Sequence, residues 1–394
     1  MTTIKFAHFA DCHVGHGQWR GRAREMRRQD FADAFISSCL EAAFSLRVDF
    51  ALFSGDISDV VRPGESARSV LREGLDVFRR NEKEVYAIFG NHDYLDRSDG
   101  LSIMHGLQDQ GYLHLCDPGE VGGYTPYRFS KDKIDIAIYG MPWMGAATRS
   151  GLMTFNNYLL ENPPDSQYSI FMAHVGLEGL SPVNFPETVS VDDLLKLKPM
   201  IDYVALGHIH KPYNDGYIRM PGSLEVLNKG ERLDQGGFII TTLEFHEGRL
   251  IDFESKKILP KKRPWVVESY NVDEYRGMPE LLSQIGQDHE PPPDTGSNRD
   301  PIVVVELDGV REYRIDKQAI KLVIPDALVI QVDDQTVPPE LEKILAGANK
   351  PRDQIEMEYY ESNLQEDAQL AMDIRRNLGT NALEVLGVKI PTTD

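Results

Sequence analysis

Nine side chains able to bind metals or move protons recur at comparable places along the chain. They are Asp11 and His13 in "DCH", Asp56 in "GDISD", Asn91, His92 and Asp93 in "GNHD", His174 in "AHVG", and His208 with His210 in "GHIH". Each has an ordinary explanation by itself, because Asp and Asn follow Gly in turns routinely and a neutral imidazole packs as readily as it coordinates. Together they form a carboxylate, amide and imidazole set of the kind that holds first-row transition metals. Residues i and i+2 of an extended segment point to the same side, so His208 and His210 could reach one ion together.

The elements that must position these groups are short apolar runs. "IKFAHFAD", "DFALFSGD", "EVYAIFGNHD", "YSIFMAHVG" and "YVALGHIH" each deliver one of the groups, and a sixth run, "DIAIYGMP", delivers none. Their length and their Phe, Ile, Val and Tyr content read as buried strands. Helical patterns lie between several of them, such as the apolar stripe Phe31, Phe35, Cys39, Ala42 and Leu46. Alternating strands and helices imply an α/β layered domain with ligands where strands end. Turn chemistry does not account for five such strand ends in one chain. Seven oxygen and nitrogen ligands are too many for one ordinary ion but suit two that share a carboxylate. Such a pair, about 3.5 to 4 Å apart, clamps the attacking and leaving oxygens of an in-line phosphoryl displacement and lowers the pKa of a bound water. Imidazole favours Mn, Fe, Ni, Cu or Zn over Mg, and the carboxylates and amide suit Mn, so Mn(II) is the expected activating ion.

Composition sets the outer bounds. The 394 residues exceed the usual single-domain size, and 41% hydrophobic with 26% charged residues is ordinary for a soluble globular protein. No apolar run approaches the roughly 20 residues that span a bilayer, and "MTTIKFAHFAD" lacks the pattern of a signal peptide. A cytoplasmic location without membrane attachment is expected. Cys12, Cys39 and Cys116 lack CxxC spacing, which argues against a disulfide framework or a thiolate zinc site. The net charge of -20 by itself counts against a nucleic-acid partner. The local exception is "RGRAREMRR", with Arg20, Arg22, Arg24, Arg27 and Arg28, which reads either as a solvated helix start or as a phosphate-contacting patch.

After "ILPKKRP" (residues 258–264) the character changes. "WVVESYNVDEY" and "PIVVVELDGVREYRID" suit a small α+β unit, interrupted by the Pro- and Gly-rich "GQDHEPPPDTGSNRD" at 286–300, which reads as a long loop. Beyond about 336 the chain reads as helical and acidic, with Leu364, Ala368, Ala371, Met372 and Leu378 on one broken apolar face suited to a partner. The expected domains are therefore 1–260, 261–335 and 336–394.

The motifs in this order are those of the calcineurin-like metallophosphoesterases. "HFADCHVG", "LFSGDISD", "IFGNHD", "AHVG", "LGHIHKP", "MPGSLE" and "DQGGFIITTLE" together resemble the Mre-eleven and SbcD family, the nuclease subunits of DNA double-strand-break repair complexes. The resemblance covers residues 1 to about 260 well and the second unit in outline. It implies a four-layer β-sandwich flanked by helices, a small α+β capping domain that positions DNA, and a helical C-terminal segment that docks on a coiled-coil ABC-type ATPase. It implies two Mn(II) ions per subunit: Asp11, His13 and His210 on one, Asn91, His174 and His208 on the other, and Asp56 between them. His92 would face the scissile phosphate, with Asp93 orienting it. Apart from the resemblance, Arg20, Arg22 and Arg24 of the basic run are the candidate DNA contacts. Pairing into a homodimer through helices near the start of the chain is also implied. Asp59 departs from family members that carry histidine there to meet a nucleotide sugar, so ribose contact by Asp59 is not expected. "GMPW" at 140–143 also differs from the commoner family form.

The activity implied is a Mn-dependent nuclease, exonucleolytic 3' to 5' on duplex ends and endonucleolytic on single strands. One competing expectation is a phosphodiesterase for small nucleotides on the same scaffold, against which the 134 residues after position 260 count. Another is a non-catalytic clamp subunit, against which the complete ligand set and His92 count.

Overall fold

The computed structural model describes residues 1–95, 100–117, 124–181, 185–289 and 299–342, together with Tyr359. The chain divides into two compact units, Met1–Trp265 with Pro292–Pro301, and Val266–Pro291 with Ile302–Asp394.

The first unit opens with β1 (Thr2–Phe9), α1 (Gly21–Leu40, prolonged by a π turn at Glu41–Ser45), β2 (Phe50–Ser54), α2 (Glu65–Arg80), β3 (Glu84–Ile88), α3 (Ile103–Asp109) and β4 (His114–Leu115). It continues with β5 (Tyr127–Lys131), β6 (Ile134–Met141), α4 (Thr148–Glu161), β7 (Tyr168–His174), β8 (Gly176–Leu177), β9 (Thr188–Val189) and α5 (Val191–Leu195). Then come β10 (Tyr203–Gly207), β11 (Tyr213–Asn214), β12 (Ile218–Met220), β13 (Phe238–His246) and β14 (Arg249–Ile258). Two six-stranded sheets result, ordered β14-β13-β1-β2-β3-β4 and β11-β12-β10-β7-β6-β5.

Strand alternation builds the layers. Ile4 and Phe6 of β1, Phe50 and Leu52 of β2, and Tyr86 and Ile88 of β3 meet Ile136, Ile138, Ile170 and Met172 of the second sheet in one core. The intervening residues Ala7, Phe9, Ala51, Phe53, Val85 and Ala87 face Phe35, Cys39, Leu71, Leu75 and Phe78 of α1 and α2. On the far side Tyr139, Phe171 and Ala173 pack on Leu152, Phe155 and Leu159 of α4. Helix, sheet, sheet, helix is the four-layer arrangement. Both faces of each central strand are buried, which is why the runs read as continuous apolar stretches rather than alternating ones.

Within the sheets β1 runs parallel to β2, β2 to β3, β6 to β7 and β7 to β10. Parallel strands end together, so the loops after β1, β2 and β3 open at one edge of the first sheet and those after β7 and β10 at one edge of the second.

The first unit runs past residue 260 to Trp265 and takes back Pro292–Pro301. A buried ion cluster accounts for this: Arg263 Nε lies 2.6 Å from Asp30 Oδ2, and Arg299 Nη1 lies 2.9 Å from Asp30 Oδ1. The second unit carries β15 (Trp265–Asn271), α6 (Met278–Asp288), β16 (Ile302–Asp308), α7 (Lys317–Val323) and β17 (Val329–Asp334). Its strands form a β15-β16-β17 sheet around Val303, Val305, Leu281, Ile285 and Ile320. The expected loop at 286–300 begins later than its composition suggests, because α6 continues to Asp288. The helical segment expected from 336 falls, beyond Glu342 and apart from Tyr359, outside the described residues. Among the described residues no helix is long and apolar enough to cross a membrane.

Candidate metal centre

Five loops bring their polar groups together. Asp11 and His13 follow β1, Asp56 follows β2, Asn91 follows β3, His174 ends β7, and His208 and His210 follow β10. Asp11, His13, Asp56 and His174 are all but fully buried. The close approach of the loops needs glycine at two places. A Cβ on Gly90 would lie 2.1 Å from Asp56 Oδ1, and one on Gly207 would lie 2.1 Å from Ser54 O. The bend after β10 falls on His208 itself, at φ +98°, so His208 and His210 do not share the face of an extended strand. Asp11, His13 and Asp56 also sit at positive φ, a conformation that costs non-glycine residues energy and concentrates at functional sites.

Ligand atoms of Asp11, His13 and His210 fall within 4.8 Å of one another, as do those of Asp56, His174 and His208. Asp56 Oδ2 stands 3.7 Å from His13 Nε2 and 3.3 Å from His174 Nε2, between the two groups. Asn91 Oδ1 lies 3.0 Å from His208 Nδ1 and 3.2 Å from His174 Nε2. The backbone is woven in: His208 N donates to Asp11 Oδ1 at 2.9 Å, and His92 N to Asp56 Oδ1 at 2.8 Å.

The far nitrogens of three imidazoles face fixed acceptors. His13 Nδ1 meets Asp59 Oδ1 at 3.3 Å, His174 Nδ1 donates to Ser54 O at 2.8 Å, and His210 Nδ1 meets Glu231 Oε1 at 2.9 Å. A neutral ring that donates from Nδ1 presents a lone pair at Nε2. His13 Nε2 and His210 Nε2 then face each other at 3.1 Å, and the buried Asp11 Oδ2 has no hydrogen-bond partner. Lone pairs and carboxylate oxygens converging in a buried space fit cations.

Electrostatics pull both ways. Burial disfavours the charged form of His174, yet the Asp56 carboxylate beside it raises the ring to about 9, and the hydrogen bond to Glu231 raises His210 against its burial. Burial raises the Asp11 carboxyl above its ordinary value. Burial opposes ionisation of Asp56 as well, but His174 and His13 beside it hold its carboxyl well below the usual range. Burial and the neighbouring His174 push His208 down to about 3, leaving it a neutral donor of electron pairs.

A family model described as calcineurin-like phosphoesterase matches residues 4–212. The chain belongs to that family. This phosphoesterase is 24% identical over 305 residues to the DNA double-strand break repair protein Mre11 of Methanocaldococcus jannaschii, covering 73% of this chain and 78% of that one. It is 23% identical to the Mre11 of Methanopyrus kandleri over 67% of this chain and 59% of the relative. It is 28% identical to that of Thermoplasma acidophilum over 68% and 69%. The family makes the protein a metal-dependent phosphodiesterase, with divalent ions as its cofactors.

Two expected roles need correction or addition. Among the described residues Asp93 makes no hydrogen bond to His92: its oxygens accept from Gly90 N at 2.7 Å and Ile57 N at 2.8 Å, so the carboxylate links two loops. His92 Nδ1 instead faces the carbonyl oxygen of Asp59 at 2.9 Å. Reading the "GNHD" motif alone could not show this, because the main-chain acceptor belongs to another loop. Asp59 also meets His16 Nδ1 at 3.0 Å, which makes it a carboxylate shared by two imidazoles. Glu231, the last residue of a single 3-10 turn, and Glu187, in a turn before β9, stand behind His210 and His208 in elements too short to leave a periodic signal. Arg20, Arg22 and Arg24 stand exposed at the start of α1, whereas Arg27 of the same run is buried against Asp30 at 2.8 Å.

Proposed function

We propose that this phosphodiesterase is a Mn-dependent DNA nuclease of double-strand-break repair, degrading duplex ends 3' to 5' and cutting single strands. The observation that carries the reading is the convergence of seven buried or half-buried donors on two adjoining groups, with Asp56 reaching both. Similarity to several Mre11 proteins supports DNA over small nucleotides as substrate.

Asp11, His13 and His210 would hold one ion, Asn91, His174 and His208 the other, and Asp56 both. Bound there, two divalent ions supply Lewis acidity at a phosphoryl oxygen and a hydroxide at neutral pH. The chain's own contribution begins with orientation: Asp59, Ser54 O and Glu231 fix the ring planes of His13, His174 and His210. His92 is the exposed member, its ring centroid 4.7 Å from that of His13. Held through Nδ1 by Asp59 O, it keeps Nε2 for the substrate. With a proton at Nε2 as well, the ring stabilises charge on the scissile phosphate and passes that proton to the leaving 3' oxygen, while Nδ1–H stays on Asp59 O. Arg20, Arg22 and Arg24, exposed at the start of α1, are the candidate contacts to DNA phosphates.

The same reading takes residues 261–335 as the unit that positions DNA and 336–394 as the dock for a coiled-coil ABC-type ATPase, in the cytoplasm at the nucleoid. The reading includes a homodimer, for which the candidate surface is a groove of about 550 Å³ where Leu40, Phe44 and Val77 lie among the charged Arg72, Glu73 and Arg80, with Phe44 54% exposed. The test is degradation of linear duplex DNA with Mn(II). His92→Ala should lower the rate by a factor of about 100 to 10,000 at unchanged metal content. Equal rates for the two proteins, or hydrolysis of bis-p-nitrophenyl phosphate without action on DNA, would refute the nuclease.

A further inference from the structure

The two histidines after β10 are supported unequally. His208 Nε2 lies 3.0 Å from Glu187 Oε2 but makes no hydrogen bond. His210 Nδ1 is hydrogen-bonded to Glu231 Oε1 at 2.9 Å, and both oxygens of that carboxylate are engaged. Oε1 also accepts from the Asn228 side chain, and Oε2 accepts from Leu227 N at 3.0 Å. Glu231 closes a single 3-10 turn, Lys229–Glu231, which Asn228 caps by accepting from Gly230 N at 2.9 Å. The segment just before that turn is pinned in turn to α1: the guanidinium of Arg27 donates to Val226 O and lies 3.5 Å from Glu225 Oε1.

We propose that Glu231 is a positioning residue that holds His210 in the tautomer with Nδ1 protonated and Nε2 bare, giving the Asp11, His13 and His210 group the tighter ion of the pair. The inference rests on the dinuclear reading of the site. A carboxylate hydrogen-bonded to a ligating histidine fixes the ring's tautomer and orientation and makes it a better donor, and losing such a partner typically weakens metal binding by 10- to 100-fold. Glu187, off the hydrogen-bond line, does not do this for His208.

The test uses Glu231→Gln, which keeps the size and the acceptor oxygen, beside Glu187→Gln and the full-length wild type. Calorimetric titration of metal-stripped protein with MnCl2 should show two binding steps in the wild type. In E231Q the tighter step should weaken by about 10- to 100-fold, and in E187Q it should be unchanged. Long-range ¹H–¹⁵N spectra of the metal-free proteins should show His210 as the Nδ1-H tautomer in the wild type and as a mixture in E231Q, with equal melting temperatures reporting an intact fold. An unchanged tight step and an unchanged tautomer in E231Q would overturn the role of Glu231 while leaving the dinuclear reading intact. A wild type that binds no Mn(II) would overturn both.

Discussion

Asp93, beside the proposed catalytic His92, illustrates how such a residue can serve structure. Its carboxylate is fully buried, and burial together with the nearby Asp56 raises it to about 7, yet it accepts backbone hydrogen bonds from Gly90 and Ile57. Above about pH 7, where the carboxylate is ionised, hydrogen bonds to it contribute about 1.5 to 3 kcal/mol each. Asp93→Ala should therefore cost on the order of 3 kcal/mol of stability in urea unfolding, and the folded fraction should keep a His92 hydrogen-bonded to Asp59 O. A variant as stable as the parent but inactive would restore Asp93 to the orienting role the motif suggests. The position of His92 beside the donor groups was legible from its place in "GNHD". Its support was not, because main-chain carbonyls carry no sequence signature.

At the level of elements, the loops can converge only because the strand ends approach so closely. Gly207 is the clearest case, since β10 lies beside β7 with Gly207 opposite His174, and Ser54 O of β2 occupies the space a side chain would need. Gly207→Ala must push β2 and β10 apart at the centre. A displacement of about 1 Å at reacting groups costs roughly 100-fold in rate, so the variant should lose that much phosphodiesterase activity and part of its affinity for divalent ions. Wild-type kinetics would show that the strands have slack. The six apolar runs were readable as β1, β2, β3, β6, β7 and β10 because burial on both faces leaves them uniformly apolar. The bend at His208 was not readable, since an imidazole at φ +98° contradicts local preference and is sustained by the contacts of the folded site, including His208 N to Asp11.

Across the whole molecule, charge explains much of what composition left open. The net charge of -20 coexists with exposed Arg20, Arg22 and Arg24 at one end of α1, so the overall balance says little about a local phosphate-facing surface. The sequence boundary at 260 missed the buried partners of Arg263 and Arg299, because ion pairs between residues more than 200 positions apart leave no local pattern. Quaternary structure is tested by Phe44→Glu: on sedimentation the wild type should run as a dimer and the variant as a monomer, and identical sedimentation would exclude the α1 and α2 groove as the interface. The central claim, that a pair of metal ions held by Asp11, His13, Asp56, Asn91, His174, His208 and His210 drives DNA cleavage, is tested most directly by stoichiometry. Metal-stripped protein is titrated with Mn(II) while bound metal and cleavage of linear duplex DNA are followed together. The account predicts no cleavage at one ion per chain or fewer, and a rise that saturates at two. Cleavage without metal, or saturation at a single bound ion, would contradict it.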